Sequence, residues 1–130
     1  MPYPIDRKLV VGVSSTALFN LHYEDEIFRN EGVEEYKKYQ EHNKYKILDK
    51  GVAFPFIRRF LNINNIFPDQ KPVEVVVLSR NSPETGIRTF NSINEYNLDI
   101  SRAAFTSGNS AIDYIPAYNI SLFLSTSIQD

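Results

Sequence analysis

The sequence contains no cysteine and no tryptophan, and only five of its 130 residues are glycine. Without cysteine the chain can form neither a disulfide bond nor a thiolate metal site, and it has no cysteine nucleophile. No apolar run reaches the roughly 18–20 residues of a membrane-spanning helix. The first residues also lack the basic start and apolar stretch of a signal peptide. These absences predict a cytoplasmic protein with no membrane partner.

Composition and charge are those of one ordinary globular domain covering residues 1–130. Hydrophobic residues make up 42% of the chain and charged residues 23%, and the length is sufficient for a single core. The 14 basic and 16 acidic side chains give a net charge of −2, which arises between Glu24 and Lys50. No Lys and Arg cluster forms the basic stripe that a phosphate backbone requires, so nucleic acid is not a predicted partner.

Apolar segments alternate with helix-favouring segments along the chain. Two β-branched runs, Lys8–Val13 and Val73–Leu78, predict buried strands, and residues 100–106 and 120–124 predict shorter ones. Residues 24–45 predict either one solvated helix or two short ones broken near Gly32, and further helices are predicted at 55–65, after Ser82 and at 111–118. This alternation, without tight hairpin signals, predicts an α/β fold with a three-layer, Rossmann-like parallel sheet.

Two helices carry more specific predictions. Ser82 and Pro83 are predicted as the N-cap and the first helical residue of the helix after the second strand. In the helix at 55–65, Phe56, Ile57, Phe60 and Leu61 are predicted to share one packed face.

Aromatic and histidine side chains receive ordinary interpretations. The aromatic side chains are predicted to pack in the core or between helices, and their exposure would instead mark an interface; they are Tyr36, Tyr39, Phe54, Phe56 and Phe60. His22 and His42 lie in or beside a charged segment without a nucleophile pattern, so both are predicted to be solvated.

Ligands of parallel α/β sheets bind outside the carboxyl ends of the strands. The loops that begin there at residues 14, 79, 106 and 125 are rich in hydroxyl and amide groups, which suit a phosphate or another small anion. Arg80 adds a fixed positive charge. The predicted ligand-binding residues are Ser14, Ser15, Thr16, Ser79, Arg80, Asn81, Thr106, Gly108 and Asn109.

Each loop also has a structural interpretation. The hydroxyl groups of Ser14–Thr16 can satisfy nearby backbone groups in a connection between a strand and a helix. The segment 106–110 either holds a nucleotide or partner, or is a turn that Gly108 permits.

Six segments, at residues 11–20, 31–40, 51–55, 78–86, 90–93 and 105–110, resemble the amino-terminal half of the cytosolic type I 5′-nucleotidases. That family belongs to the haloacid dehalogenase-like superfamily, and the resemblance runs from about Leu9 to Asp130. It implies a haloacid dehalogenase-like fold and, for the full-length family member, Mg²⁺-dependent hydrolysis of nucleoside 5′-monophosphates to nucleoside and phosphate.

The sequence departs from the motifs of that superfamily. Where the superfamily has Asp-x-Asp, with a nucleophile and an acid/base, this chain has Ser14–Thr16. Ser79 matches the hydroxyl of the second motif, and Pro116 stands where the family tends to have lysine. In the last loop Thr126 replaces the first acid, and Asp130 remains. One of four expected carboxylates is therefore present.

These departures imply a degenerate repeat that forms part of a 5′-nucleotidase without its own nucleophile. It would serve as a scaffold or contact the nucleotide, with no catalytic residue, no metal site and no Mg²⁺ bound by this chain alone. The implied partners are a nucleoside monophosphate or phosphate, and the missing carboxyl-terminal half or a second copy.

Two alternatives stay open. The first is a non-catalytic module that binds a nucleotide or a protein. The second is a phosphatase that uses Asp130 and the hydroxyl groups, which we rank last because one carboxylate cannot be nucleophile, acid/base and metal ligand together.

Overall fold

A computed structural model gives the structure of the protein and describes residues 8–80, 86–100, 102–106 and 114–126. Its elements in chain order are β1 (Leu9–Ser14), α1 (Ser15–Leu18), β2 (Phe19–Asn20), α2 (His22–Glu31), α3 (Val33–His42), β3 (Asp49–Lys50), α4 (Phe54–Leu61), α5 (Ile63–Ile66), β4 (Val73–Ser79), α6 (Ile87–Glu95), β5 (Arg102–Phe105), α7 (Tyr114–Ala117) and β6 (Leu122–Leu124).

Four strands form a parallel sheet in the order β5-β4-β1-β6. The two central strands, β1 and β4, correspond to the two β-branched runs of the sequence. Helices pack against this sheet, so the predicted Rossmann-like α/β fold is confirmed. Among the described residues, no helix combines the length and the apolar character needed to cross a bilayer.

The valines of the central strands alternate between two cores, because successive side chains of a strand point to opposite faces. Val11, Val13 and Val75 belong to the larger core, together with residues of α1, α4 and α6. Val10 and Val76 belong to the smaller core, against which Tyr114 of α7 and Tyr118, the residue after that helix, pack. Burial on both faces explains why these strands are continuously apolar.

The chain order of the strands reverses between β1 and β6. From β1 the chain moves to β4 and then to β5, and the connecting helices α4 and α6 both contribute to the larger core. The chain then returns through α7, on the other face, to β6 beside β1. Such a reversal is the point of an open α/β sheet at which ligands most often bind.

A helical hairpin, α2–α3, is inserted between the short antiparallel strands β2 and β3. The predicted break near Gly32 is confirmed: this residue has φ of 90° between the two helices, a backbone conformation that glycine adopts without strain. Gly51 follows β3 and lies so close to α1 that a Cβ there would be 2.4 Å from the carbonyl oxygen of Ala17. The sequence did not predict the β2–β3 pair, because 28 residues separate its strands.

The prediction of one packed face on α4 is wrong for Phe56. Phe54, Ile57 and Leu61 are buried in the larger core, whereas Phe56 is 45% exposed and stacks on the partly buried Phe60. Spacings of three and four residues select the buried side chains, and Phe56 lies outside that stripe. The predicted N-cap pair, Ser82 and Pro83, lies outside the described residues, within which the helix begins at Ile87.

Asn64 connects α5 to the start of β4. Its side-chain amide donates to the carbonyl oxygen of Val73 at 2.9 Å, and its side-chain oxygen accepts from the amide of Val73 at 3.1 Å. Asn64 is buried, so these two bonds satisfy backbone groups that water does not reach.

We expect Asn64→Ala to lower the free energy of unfolding by about 2 kcal/mol, because it leaves a buried donor and acceptor unpaired. Urea denaturation measures this change. Asn65→Ala is the matched control: Asn65 is exposed and its side-chain amide donates to the exposed Asn62 side chain, so a change within about 0.5 kcal/mol is expected. Equal losses in the two variants would contradict the role assigned to Asn64.

Candidate functional site

Two serines meet where β1 and β4 end. The parallel register pairs Ser14 with Leu78, which brings the next residues, Ser15 and Ser79, side by side. The Ser15 hydroxyl donates to Oγ of Ser79 at 3.1 Å, and both side chains are buried. Sheet register therefore places two predicted site residues in contact although they lie 64 positions apart.

Ser14 begins the short helix α1. Its Oγ accepts a hydrogen bond from the amide of Ala17 at 3.2 Å and lies 3.1 Å from Oγ1 of Thr16. This is N-cap geometry, which satisfies one of the free amides at a helix start. Ser14 therefore satisfies a nearby backbone group, as the structural interpretation of Ser14–Thr16 predicts. The Thr16 side chain, in contrast, is exposed.

Thr16, in the helix that follows β1, is hydrogen-bonded to a residue that follows β6. The Thr126 hydroxyl donates to Oγ1 of Thr16 at 3.0 Å, and both residues are exposed. Because β1 and β6 are the strands between which the chain order reverses, this pair lies at the reversal, where ligands of open α/β sheets most often bind. Thr126 is not among the predicted ligand-binding residues. The resemblance places it where the superfamily has the first acid of its last motif.

The remaining predicted residues are placed only in part. Thr106 is buried, and its amide donates to the carbonyl oxygen of Ser79 at 2.8 Å, which extends the β4–β5 pairing. Arg80 follows Ser79 and is exposed. Asn81, Gly108 and Asn109 lie outside the described residues. His22 and His42 are exposed, as predicted. Nε2 of His22 lies 3.2 Å from Oε1 of Glu26.

Five hydroxyl side chains, called the hydroxyl cluster below, therefore lie at the carboxyl edge of the sheet in two hydrogen-bonded groups: Ser14, Thr16 and Thr126 form one, and Ser15 and Ser79 form the other. Three are buried and the two threonines face solvent. Such hydroxyls donate to and accept from a phosphate or an alcohol. They carry no charge at neutral pH.

The residues of the hydroxyl cluster do not fit a resident Mg²⁺ ion. Magnesium prefers carboxylate oxygens, and the described part of the chain holds no group of three or more His, Cys, Asp or Glu side chains placed around a metal. The cluster itself contains no carboxylate or imidazole, so it supplies neither an anionic ligand nor a general base.

The whole chain is similar in sequence to proteins of one known family. The sequence model of a family described as 5′-nucleotidase matches residues 1–130. Human cytosolic 5′-nucleotidase 1B is 34% identical over 131 aligned residues, which cover 95% of this chain and 22% of the human protein. No solved structure matches.

We expect the Ser14→Asp/Thr16→Asp variant to bind Mg²⁺ weakly but saturably, because it places two carboxylates where hydroxyls now lie 3.1 Å apart. Calorimetric titration with magnesium chloride measures the binding. The Ser14→Asn/Thr16→Asn variant keeps size and polarity without charge and should bind no more than the unmodified chain. The conclusion that the hydroxyl cluster does not fit Mg²⁺ would be contradicted if the unmodified chain bound Mg²⁺ saturably and the Ser14→Asn/Thr16→Asn variant bound it equally well.

Proposed function

Because this chain belongs to the 5′-nucleotidase family, we propose that it forms the part of a 5′-nucleotidase that supports the phosphate site without supplying the nucleophile. The complete enzyme hydrolyses nucleoside 5′-monophosphates to nucleoside and phosphate. In this role the chain acts as scaffold and contacts the nucleotide. The chain spans 22% of its human relative, which leaves room for the other groups of the reaction elsewhere in such an enzyme.

One observation carries this proposal: the hydroxyl cluster lies at the chain reversal between β1 and β6 and contains no carboxylate. A seryl hydroxyl is a weak nucleophile unless a neighbouring base removes its proton. Here the Ser15 hydroxyl donates to Ser79, and the Ser14 hydroxyl accepts from a backbone amide. These bonds orient the hydroxyl groups but do not activate them.

Phosphoryl transfer also requires compensation of the charge on the phosphoryl oxygens. Neutral hydroxyl groups contribute hydrogen bonds to those oxygens, and Arg80, next to Ser79, is a nearby positive charge in the sequence. In the proposed enzyme the Mg²⁺ ion is held by carboxylates outside the hydroxyl cluster, and this chain binds none alone. In this proposal the chain contributes by positioning the phosphate group of the nucleotide.

An exposed aromatic residue on α4 supports a contact with another protein part. Phe56 is 45% exposed and stacks, with ring centroids 5.9 Å apart, on Phe60, which is partly buried against the larger core. Exposed apolar surface of this kind is typical of interaction sites. We propose that the partner is the remainder of the 5′-nucleotidase or a second copy, and that the assembly works in the cytosol, as the name of the human relative states for that protein.

A second candidate function is a non-catalytic module that binds a nucleotide or a protein. The same observation favours it, since neutral hydroxyl groups suit binding without turnover. Activity and binding assays on the purified chain separate the two candidates.

We expect the purified chain to release no phosphate from AMP or IMP in the presence of Mg²⁺, because the hydroxyl cluster has no base to activate a nucleophile. A colorimetric phosphate assay measures this. The Ser14→Ala variant is the matched control and should give the same background. Release by the unmodified chain that Ser14→Ala abolishes would show that the chain carries its own chemistry.

We expect AMP, IMP or inorganic phosphate to give a calorimetric binding signal that Arg80→Ala weakens about tenfold, because a charged hydrogen bond to phosphate is lost. Arg59→Ala, at an exposed arginine of α4, should leave the affinity unchanged. Absence of heat with all three ligands would exclude nucleotide contact by the isolated chain and leave the scaffold role.

A further inference from the structure

The α2–α3 hairpin is not joined to the rest of the protein by the hydrophobic cores. Among the described residues, the buried members of the two cores include Leu21 and Leu48, at the two ends of the insertion, but none of residues 22–47. The hairpin therefore rests on the domain through contacts of another kind.

Those contacts centre on Arg88 of α6. One terminal nitrogen, Nη1, donates to Oε1 of Glu24 in α2 at 2.7 Å and to Oε1 of Gln40 in α3 at 3.1 Å. Its Nε donates to the carbonyl oxygen of Lys46 at 2.8 Å. The guanidinium also lies over the ring of Tyr39, 5.8 Å from its centroid. One side chain of the domain thus contacts both helices of the hairpin and the segment that follows them.

This ion pair is buried: Arg88 is 4% exposed and Glu24 is 5% exposed. The attraction of a buried pair is offset by the loss of hydration of both charges, so the pair selects a geometry more than it adds stability. When the pair separates into water, both charges regain their hydration. The contact is directional in the closed state, and the regained hydration of the two charges offsets part of the cost of opening.

Three further bonds hold the segment after α3. Asn91 donates to the carbonyl oxygen of Lys44 at 2.7 Å, and the Tyr96 hydroxyl donates to the carbonyl oxygen of Leu48 at 2.7 Å. The amide of Leu48 donates to Oγ of Ser92 at 2.9 Å. Polar groups of α6 and its C-cap residue Tyr96 thus hold the segment after the hairpin, and the bonds to Leu48 hold the end of the insertion. Ile27 and Tyr36 of the hairpin are buried but belong to neither core.

Within itself the hairpin is cohesive. Phe28 and Tyr36 make an edge-to-face contact with ring centroids 5.6 Å apart, and Tyr23 and Tyr39 lie 5.5 Å apart. The Gln40 amide donates to the Tyr36 hydroxyl at 3.1 Å. Contacts between α2 and α3 hold the two helices together independently of α6.

We propose that the α2–α3 hairpin opens from the domain as one unit, with hinges next to Leu21 and Leu48, and that Arg88 is the latch that keeps it closed. Proteins open locally in cooperative units, and a unit joined by few apolar contacts opens at lower cost than the core. This device depends only on the contacts of α6 and not on the proposed enzymatic role.

Native-state hydrogen exchange of the full chain at increasing guanidinium concentration tests whether the α2–α3 hairpin opens as one unit. Once the hairpin is released from α6, its two ten-residue helices unwind transiently, because helices of this length are marginal in water without support. We therefore expect amides of α2 and α3 to exchange at least about tenfold faster than those of β1 and β4. Their exchange should also depend less on denaturant, because opening exposes less surface than unfolding. Equal rates and equal denaturant dependence in hairpin and central strands would overturn the proposal. This measurement needs no variant.

The latch is tested with Arg88→Met, which leaves Glu24 without its buried partner. We expect exchange in α2 and α3 to rise at least about tenfold while β1 and β4 keep their rates. Arg59→Met, at an exposed arginine, is the matched control and should change neither region. Unchanged exchange in the hairpin, or an equal rise in the central strands, would show that Arg88 is not a latch.

Discussion

The parallel pairing of β1 with β4 is the constraint on which the rest of the structure depends. Its register runs from Leu9 beside Val73 to Ser14 beside Leu78, and it assigns the buried valines other than Val73 to one of the two cores. A slip of one residue would exchange the two faces of a strand. The same register brings Ser15 to Ser79, so the cores and the hydroxyl cluster are fixed by one set of backbone hydrogen bonds.

Helix α6 joins two parts of the protein that are stabilised differently. Ile93 packs into the larger core, where burial of apolar surface is the main driving force. Arg88 and Asn91 bond the hairpin and the segment that follows it. The core tolerates no water, whereas polar contacts exchange with water at little net cost. This difference is the physical basis for treating the hairpin as a separate unit.

Local patterns predicted those elements whose signal lies within a few residues. The β-branched runs gave the central strands, and Gly32 marked the break between α2 and α3. The hydroxyl groups at the strand ends indicated the candidate site. The direction of Phe56 was not predictable, because the apolar pattern of α4 permits two adjacent faces and only contact with the sheet selects one. The β2–β3 pair was not predictable from local sequence, because the α2–α3 hairpin rather than a tight turn connects its strands.

By itself the sequence determined that residues 14–16 and 126 carry neutral hydroxyl groups, because the residue type alone sets the functional group of a side chain. Only the tertiary structure decided which of these groups touch. Thr126 reaches Thr16 across 110 positions. Glu24 reaches Arg88 across 64. Such contacts depend on strand register and helix packing, which bring distant residues together and leave no periodic trace along the chain.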